Sequence, residues 1–105
     1  MSNSKQYKTA EYAEIFKALS NPNRLRILLR LVSCCTPGTV SLVDARDTAY
    51  VGELGQDLGI VKSTVSHHIK ELKRVGLIRT RRVGQKIECW VDVEVLSSLK
   101  SFFSF

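Results

Sequence analysis

The chain has 105 residues, 44% hydrophobic and 25% charged, with 16 Lys and Arg against 10 Asp and Glu and a net charge of +6. That length and apolar content make one domain, residues 1–105, and exclude a membrane-spanning chain: there is no apolar run of the ~20 residues a crossing needs and no signal-like start, so a cytoplasmic location is expected. The three cysteines (34, 35 and 89) are odd in number and two are adjacent, which argues against a disulfide framework and leaves packing residues, soft-metal ligands or redox sensors.

Residues 1–6 are polar and expected to fray. From about Lys8 to Leu19, Tyr12, Ile15, Phe16 and Leu19 share one face of a predicted helix. Ser20-Asn21-Pro22 ends it and opens the next. Asn21 can cap, and Pro22 fits the first helical position because its missing N–H has no partner there. Leu25, Leu28, Leu29 and Val32 form the expected core stripe of this second helix, widened by Ile27 and Leu31, with Arg24, Arg26 and Arg30 outside it. Residues 33–50 then make a long loop. Cys34-Cys35-Thr36-Pro37-Gly38 reads as a turn, Thr39 to Val43 alternates like a short strand, and Asp47 or Thr48 offers a cap to a helix starting near Tyr50. Long ordered loops are often functional; a disordered insertion is the alternative.

Val51, Leu54 and Leu58 give a short amphipathic helix that Gly59 can end at positive φ. Gly52 and Gly55 weaken it, with close helix packing as the expected reason. The helix that follows buries Val65, Ile69 and Leu72 and presents Lys62, Ser63, Thr64, Ser66, His67, Lys70 and Arg74 on its other face. Helix neighbours point in different directions, so His67 faces outward, His68 faces the second helix, and the two are no metal pair. Gly76 ends this helix, Leu77-Ile78 opens a hairpin, and Arg79, Arg81, Arg82 and Lys86 make that hairpin basic. Asp92 caps a last helix with Val93, Leu96, Leu99 and Phe103 on one apolar stripe, extended by Val95 and Phe102.

The order α1-α2-(β)-α3-α4-β-β-α5 is that of a winged helix-turn-helix, mainly α with a small β-hairpin wing. Lys62 to Lys86 holds eight Lys or Arg against Glu71 alone, whereas residues 1–61 carry seven basic and six acidic groups. Charge so concentrated marks a polyanion partner. Short polar groups near a helix start suit base edges in the major groove of double-stranded DNA, and the cations suit its phosphates. The apolar ending SLKSFFSF is more than a monomer readily hides, so the first and last helices are expected to form a homodimer across a two-fold axis. Its two reading helices would match an inverted-repeat operator.

Through FKALSNPNRLRILLRL (16–31), VGELGQDLG (51–59), STVSHHIKELKRVGLI (63–78) and GQKIECWV (84–91), the sequence resembles the ArsR/SmtB family of bacterial metal-responsive repressors over roughly residues 10–100. The resemblance implies a homodimer that represses its operator until a metal or metalloid lowers its DNA affinity, with no cofactor required for DNA binding. By position, Lys62, Ser63, Thr64, Ser66, His67 and Lys70 would be the recognition face, and Arg79, Arg81, Arg82 and Lys86 the wing. The inducer does not carry over. Arsenic-sensing members have Cys-Val-Cys where this chain has Tyr50, Val51 and Gly52, and zinc-sensing members use Asp and His on a last helix that here has no His.

Cys34, Cys35 and Cys89 remain. Adjacent thiols make a strained disulfide but can chelate trivalent arsenic or antimony. In a winged helix the segment after the second helix commonly pairs with the second wing strand, which would bring Cys89 in as a third thiolate. The expected function is thus a sequence-specific DNA-binding repressor released by arsenite or antimonite. Three alternatives stay open: Cys89 facing the core as a small hydrophobe, a thiol-based redox or persulfide sensor, and a winged-helix protein-interaction module whose DNA binding would be weak and salt-insensitive. No catalytic nucleophile with a base, phosphate-cradling glycine loop or Cys-x-x-Cys is present, so no enzyme is expected.

Overall fold

Five helices and a small sheet make up a computed structural model that describes residues 8–35 and 49–105. Helix α1 (Thr9–Leu19) begins where the Glu11 carboxylate accepts the Lys8 backbone N–H at 3.0 Å. Helix α2 (Pro22–Cys35) starts on Asn21, whose Oδ1 accepts the backbone N–H groups of Asn23 and Arg24 at 2.9 and 3.1 Å. The turn expected at Cys34-Cys35 is instead the last turn of α2. The strand expected at Thr39 to Val43 and the caps expected at Asp47 or Thr48 lie outside the described residues.

Strand β1 (Ala49–Tyr50) runs without a loop into α3 (Val51–Leu58). Tyr50 is therefore the junction, extended at φ −89° and ψ 140°, and Glu53 reaches back to accept its N–H at 3.3 Å. Helix α3 and helix α4 (Lys62–Arg74) end by the same device. Gly59 and Gly76 take φ of +67° and +84°, and the next residues, Ile60 and Leu77, donate back to Gly55 O at 2.9 Å and Leu72 O at 3.0 Å. Gly55 also lets α4 approach: a Cβ there would lie 2.8 Å from Ile60 O and 3.3 Å from Val65 Cγ2. Packing among the described residues does not explain Gly52, where a Cβ would meet none of them within 4 Å.

Strands β2 (Ile78–Val83) and β3 (Lys86–Val91) form the expected hairpin, and β1 pairs with the far edge of β3, so the antiparallel order is β1-β3-β2. The register sets Cys89 between Ala49 and Thr80, and Arg81 opposite Glu88. Helix α5 (Val93–Phe102) starts on Asp92, whose side chain accepts from the Glu94 and Val95 N–H groups, and returns beside α1. The core draws on every layer, with Ile15, Ile27, Leu31, Leu54, Val65, Leu72, Leu77, Val91 and Val95 buried together. Each such side chain contributes roughly 1.5–3 kcal/mol.

Two apolar stripes are rotated from expectation. In α2, Ile27, Leu28 and Leu31 are buried, while Leu25 and Leu29 are 40% and 58% exposed. In α5, Val95 and Ser98 are buried, while Val93 and Phe103 are exposed. Both helices carry apolar residues on more than one side, so spacing alone does not choose the face that meets the chain's own core. No helix among the described residues is long and apolar enough to cross a membrane.

Candidate nucleic-acid interface

Helix α4 has two faces of opposite character. Val65, His68, Ile69 and Leu72 are buried, and the helix packs on α1, α2, α3 and β2, which fixes its rotation. Lys62, Ser63, Ser66, His67 and Lys70 are consequently exposed together, with Thr64 half-buried beside them. His68 turns inward, as its position predicts. Arg24 Nε donates to His68 Nδ1 at 3.1 Å, and Arg24 Nη1 donates to Ala18 O at 3.2 Å. One guanidinium thereby joins the end of α1, the start of α2 and the back of α4. Burial first, then the charges of Arg24 and His67, hold the His68 pKa below its ordinary value, which keeps the imidazole neutral and Nδ1 an acceptor. The other two arginines of α2 brace α3: Arg26 donates to Leu58 O at 2.9 Å and Arg30 pairs with Asp57 at 3.0 Å.

The hairpin cations divide into two kinds. Arg79 donates to Asp92 Oδ2 at 3.0 Å, and Arg81 donates through Nε and Nη2 to Glu88 Oε1 at 3.0 and 2.6 Å while lying 5.7 Å from the Trp90 ring. Arg82 donates to Gly84 O at the turn, and Lys86 Nζ sits 4.8 Å over the Tyr50 ring. Among the described residues, the ion pairs engage Arg30, Arg74, Arg79 and Arg81; Lys62, Lys70, Arg82 and Lys86 are in none of them. Among the described residues, cations outside the ion pairs thus stand together on the outer face of α4 and at the tip of the hairpin.

Between those two sources of charge runs a groove of about 740 Å³, walled by Tyr50, Gly52, Gln56, Lys62, Gln85 and Lys86. Gln56 and Gln85 had no role in the sequence reading, and Gly52 was expected to serve helix packing, because the groove is assembled from three separate segments. The one signal in the sequence was a glycine inside a short helix, read there as a packing residue.

Cys89, expected as a third thiolate, is fully buried on β3, and burial, with Glu88 second, pushes its thiol up to about 12. It packs as a small hydrophobe among Ile78, Val91 and the helices. Cys34 and Cys35 close the backbone of α2, and their side chains are outside the described part of the structure. Among the described residues no three His, Cys, Asp or Glu cluster as a metal site.

The sequence matches the family described as a helix-turn-helix domain over residues 19–81. An uncharacterized HTH-type transcriptional regulator of Bacillus subtilis, YceK, is 39% identical over 70 residues, which are 67% of this chain and 59% of that protein. A transcriptional repressor SmtB homolog of Synechocystis is 31% identical over 77 residues, 73% of this chain and 48% of that protein. The chain thus spans between about half and three-fifths of the length of these relatives. The solution structure of the homodimeric winged helix-turn-helix DNA-binding domain Mb0332 of Mycobacterium bovis, a possible ArsR-family transcriptional regulator, superposes with a TM-score of 0.65 at 26% identity, covering 97% of this chain and 88% of that one.

Proposed function

The chain belongs to the ArsR/SmtB family of winged helix-turn-helix regulators, which are not enzymes, and from that premise we propose that it is a homodimeric repressor of an inverted-repeat DNA operator. The observation that carries the reading is the α4 face, where Lys62, Ser63, Ser66, His67 and Lys70 stand exposed over a buried stripe that locks the helix in rotation. Ser63, Thr64, Ser66 and His67 offer short donors and acceptors to base edges, and Lys62 and Lys70 reach the flanking phosphates. In the wing, Arg82 and Lys86 serve as the phosphate cations. Arg79 and Arg81, neutralised by Asp92 and Glu88, act mainly to hold the hairpin against α5 and to keep its strands in register.

The finer part of the proposal is a thiophilic inducer, arsenite or antimonite, taken by Cys34 and Cys35 at the end of α2. Cys89 is left out of that site, since a buried thiol of such high pKa is a poor ligand at neutral pH. What supports the pair is the absence of the family's other thiol positions, with Tyr50, Val51 and Gly52 at the start of α3.

One assay tests both parts, the fluorescence anisotropy of a labelled duplex titrated with reduced protein across a range of salt. Lys62→Ala and Lys86→Ala should each weaken binding and flatten the salt slope by about 0.9, and Arg79→Ala should leave the slope nearly unchanged. Arsenite should release the wild type, and the Cys34→Ser/Cys35→Ser double variant should stay bound. Slopes that ignore both lysines would remove them from the phosphate contacts, and a double variant that still responds would move the sensing site elsewhere.

A further inference from the structure

Four of the five described glycines are required by the fold. Gly59, Gly76 and Gly84 hold φ of +67°, +84° and +62°, where a side chain is strained, and at Gly55 a Cβ would press on Ile60 O at 2.8 Å. Gly52 has neither reason. It lies in the first turn of α3, in a conformation open to any residue, and a Cβ there would meet nothing among the described residues within 4 Å. Glycine is among the poorest helix residues, so the fold loses by having it at this position. What the missing side chain provides is clearance on the outside, and Gly52 lies on the wall of the groove that also holds Lys62 and Lys86.

The rest of that groove fits a polyanion. Lys86 is held at its rim over the Tyr50 ring, and Lys62 stands on the wall that leads into the exposed face of α4. Gln56 and Gln85 add neutral donors. Glu53, a carboxylate on the same wall, is turned back onto the Tyr50 backbone N–H. Ser66 belongs both to this groove and to the reading face, so the two surfaces are continuous.

We propose that Gly52 is the point where a DNA sugar-phosphate strand comes closest to the protein backbone, threading the groove between the hairpin tip and the start of α4 with Lys86 and Lys62 beside it. The inference rests on the DNA-binding reading above and assigns to that reading a residue chosen for the side chain it lacks.

The test pairs Gly52→Ala with Gly52→Met, both better helix formers than glycine. Thermal melts are set beside anisotropy of a short mixed-sequence duplex at low salt. Both variants should melt at or above the wild-type temperature, while duplex affinity falls roughly threefold for alanine and tenfold or more for methionine. If both variants bind like the wild type, the strand does not pass over Gly52 and the inference fails alone. If the wild type itself shows no salt-dependent duplex binding, the DNA reading fails and the inference with it. A clear drop in melting temperature would also overturn it, by showing that the position has an internal constraint.

Discussion

Arg24 and His68 tie three helices together through two hydrogen bonds, and that tie has a defined response to acid. An unfolded imidazole titrates near ~6.5, and the folded His68 titrates lower because of burial and the neighbouring charges of Arg24 and His67. Below about pH 6.5 the unfolded chain takes up a proton that the folded chain refuses. The stability linked to His68 is therefore fully present above that pH, falls through the window between the two values, and levels off below the folded one. Asp92 does not interfere. Burial opposes its ionisation and is the largest single influence, but Arg79 and the N–H groups of Val95 and Glu94 together outweigh it and lower the pKa, so its contribution is present above about pH 3.9 and lost only below. Melts at about pH 7.5 and 5.5 should show the wild type losing more Tm than His68→Gln, which keeps an acceptor for Arg24 but does not titrate. Each kcal/mol at stake moves Tm by roughly 4–8 °C in a chain this size. Equal losses in the two proteins would mean that the Arg24–His68 contact tolerates the proton.

Helices α3 and α4 owe their spacing to a single missing methyl. A Cβ on Gly55 would sit 2.8 Å from Ile60 O, a backbone atom that is itself pinned by its place in the turn. Overpacking of this kind costs about 1–3 kcal/mol, partly offset by the ~1 kcal/mol that alanine gains in a helix. Gly55→Ala should therefore lower Tm by several degrees, opposite in sign to Gly52→Ala three residues earlier on the same helix. A Gly55→Ala protein as stable as the wild type would mean that the turn relaxes freely. The two glycines look alike in sequence, since only the path of the turn after α3 sets them apart. Local signals with one physical meaning were legible in advance: the Asn21 and Asp92 caps, the stops at Gly59 and Gly76, and the opposed faces of α4. Apolar spacing was less decisive. In α2 the expected Leu25 and Leu29 proved exposed, and in α5 Ser98 took a buried place that hydrophobicity would give to Leu96 or Phe103. The groove was out of reach because its walls come from residues 50–66 and 85–87, joined only by the tertiary fold.

The proposed homodimer offers a reason for the exposed apolar residues at the end of α5. Tyr12 and Phe16 on α1 meet Phe102 at ring-centroid distances of 4.7 and 5.3 Å, and Phe103 lies 5.6 Å from Phe16, yet Phe102 and Phe103 remain 45% and 58% exposed. Helices α1 and α5 thus build an aromatic surface that the monomer leaves half in water. In the homodimer proposed above a second copy would bury such residues, and periodicity alone cannot tell an intramolecular face from an intermolecular one. Placing a charge on that surface separates the alternatives. Phe103→Glu removes the most exposed ring of the cluster and leaves the buried stripe of Val95 and Ser98 in place, so the fold should persist by circular dichroism. Sedimentation equilibrium should then report a monomer, since a carboxylate at the centre of an apolar contact is left without a partner. Duplex affinity should fall by on the order of 10²-fold, because two α4 helices on one dimer engage DNA as a linked pair and a single one does not. A Phe103→Glu protein that stayed dimeric would place the two-fold axis on another face and would require a different spacing between the reading helices.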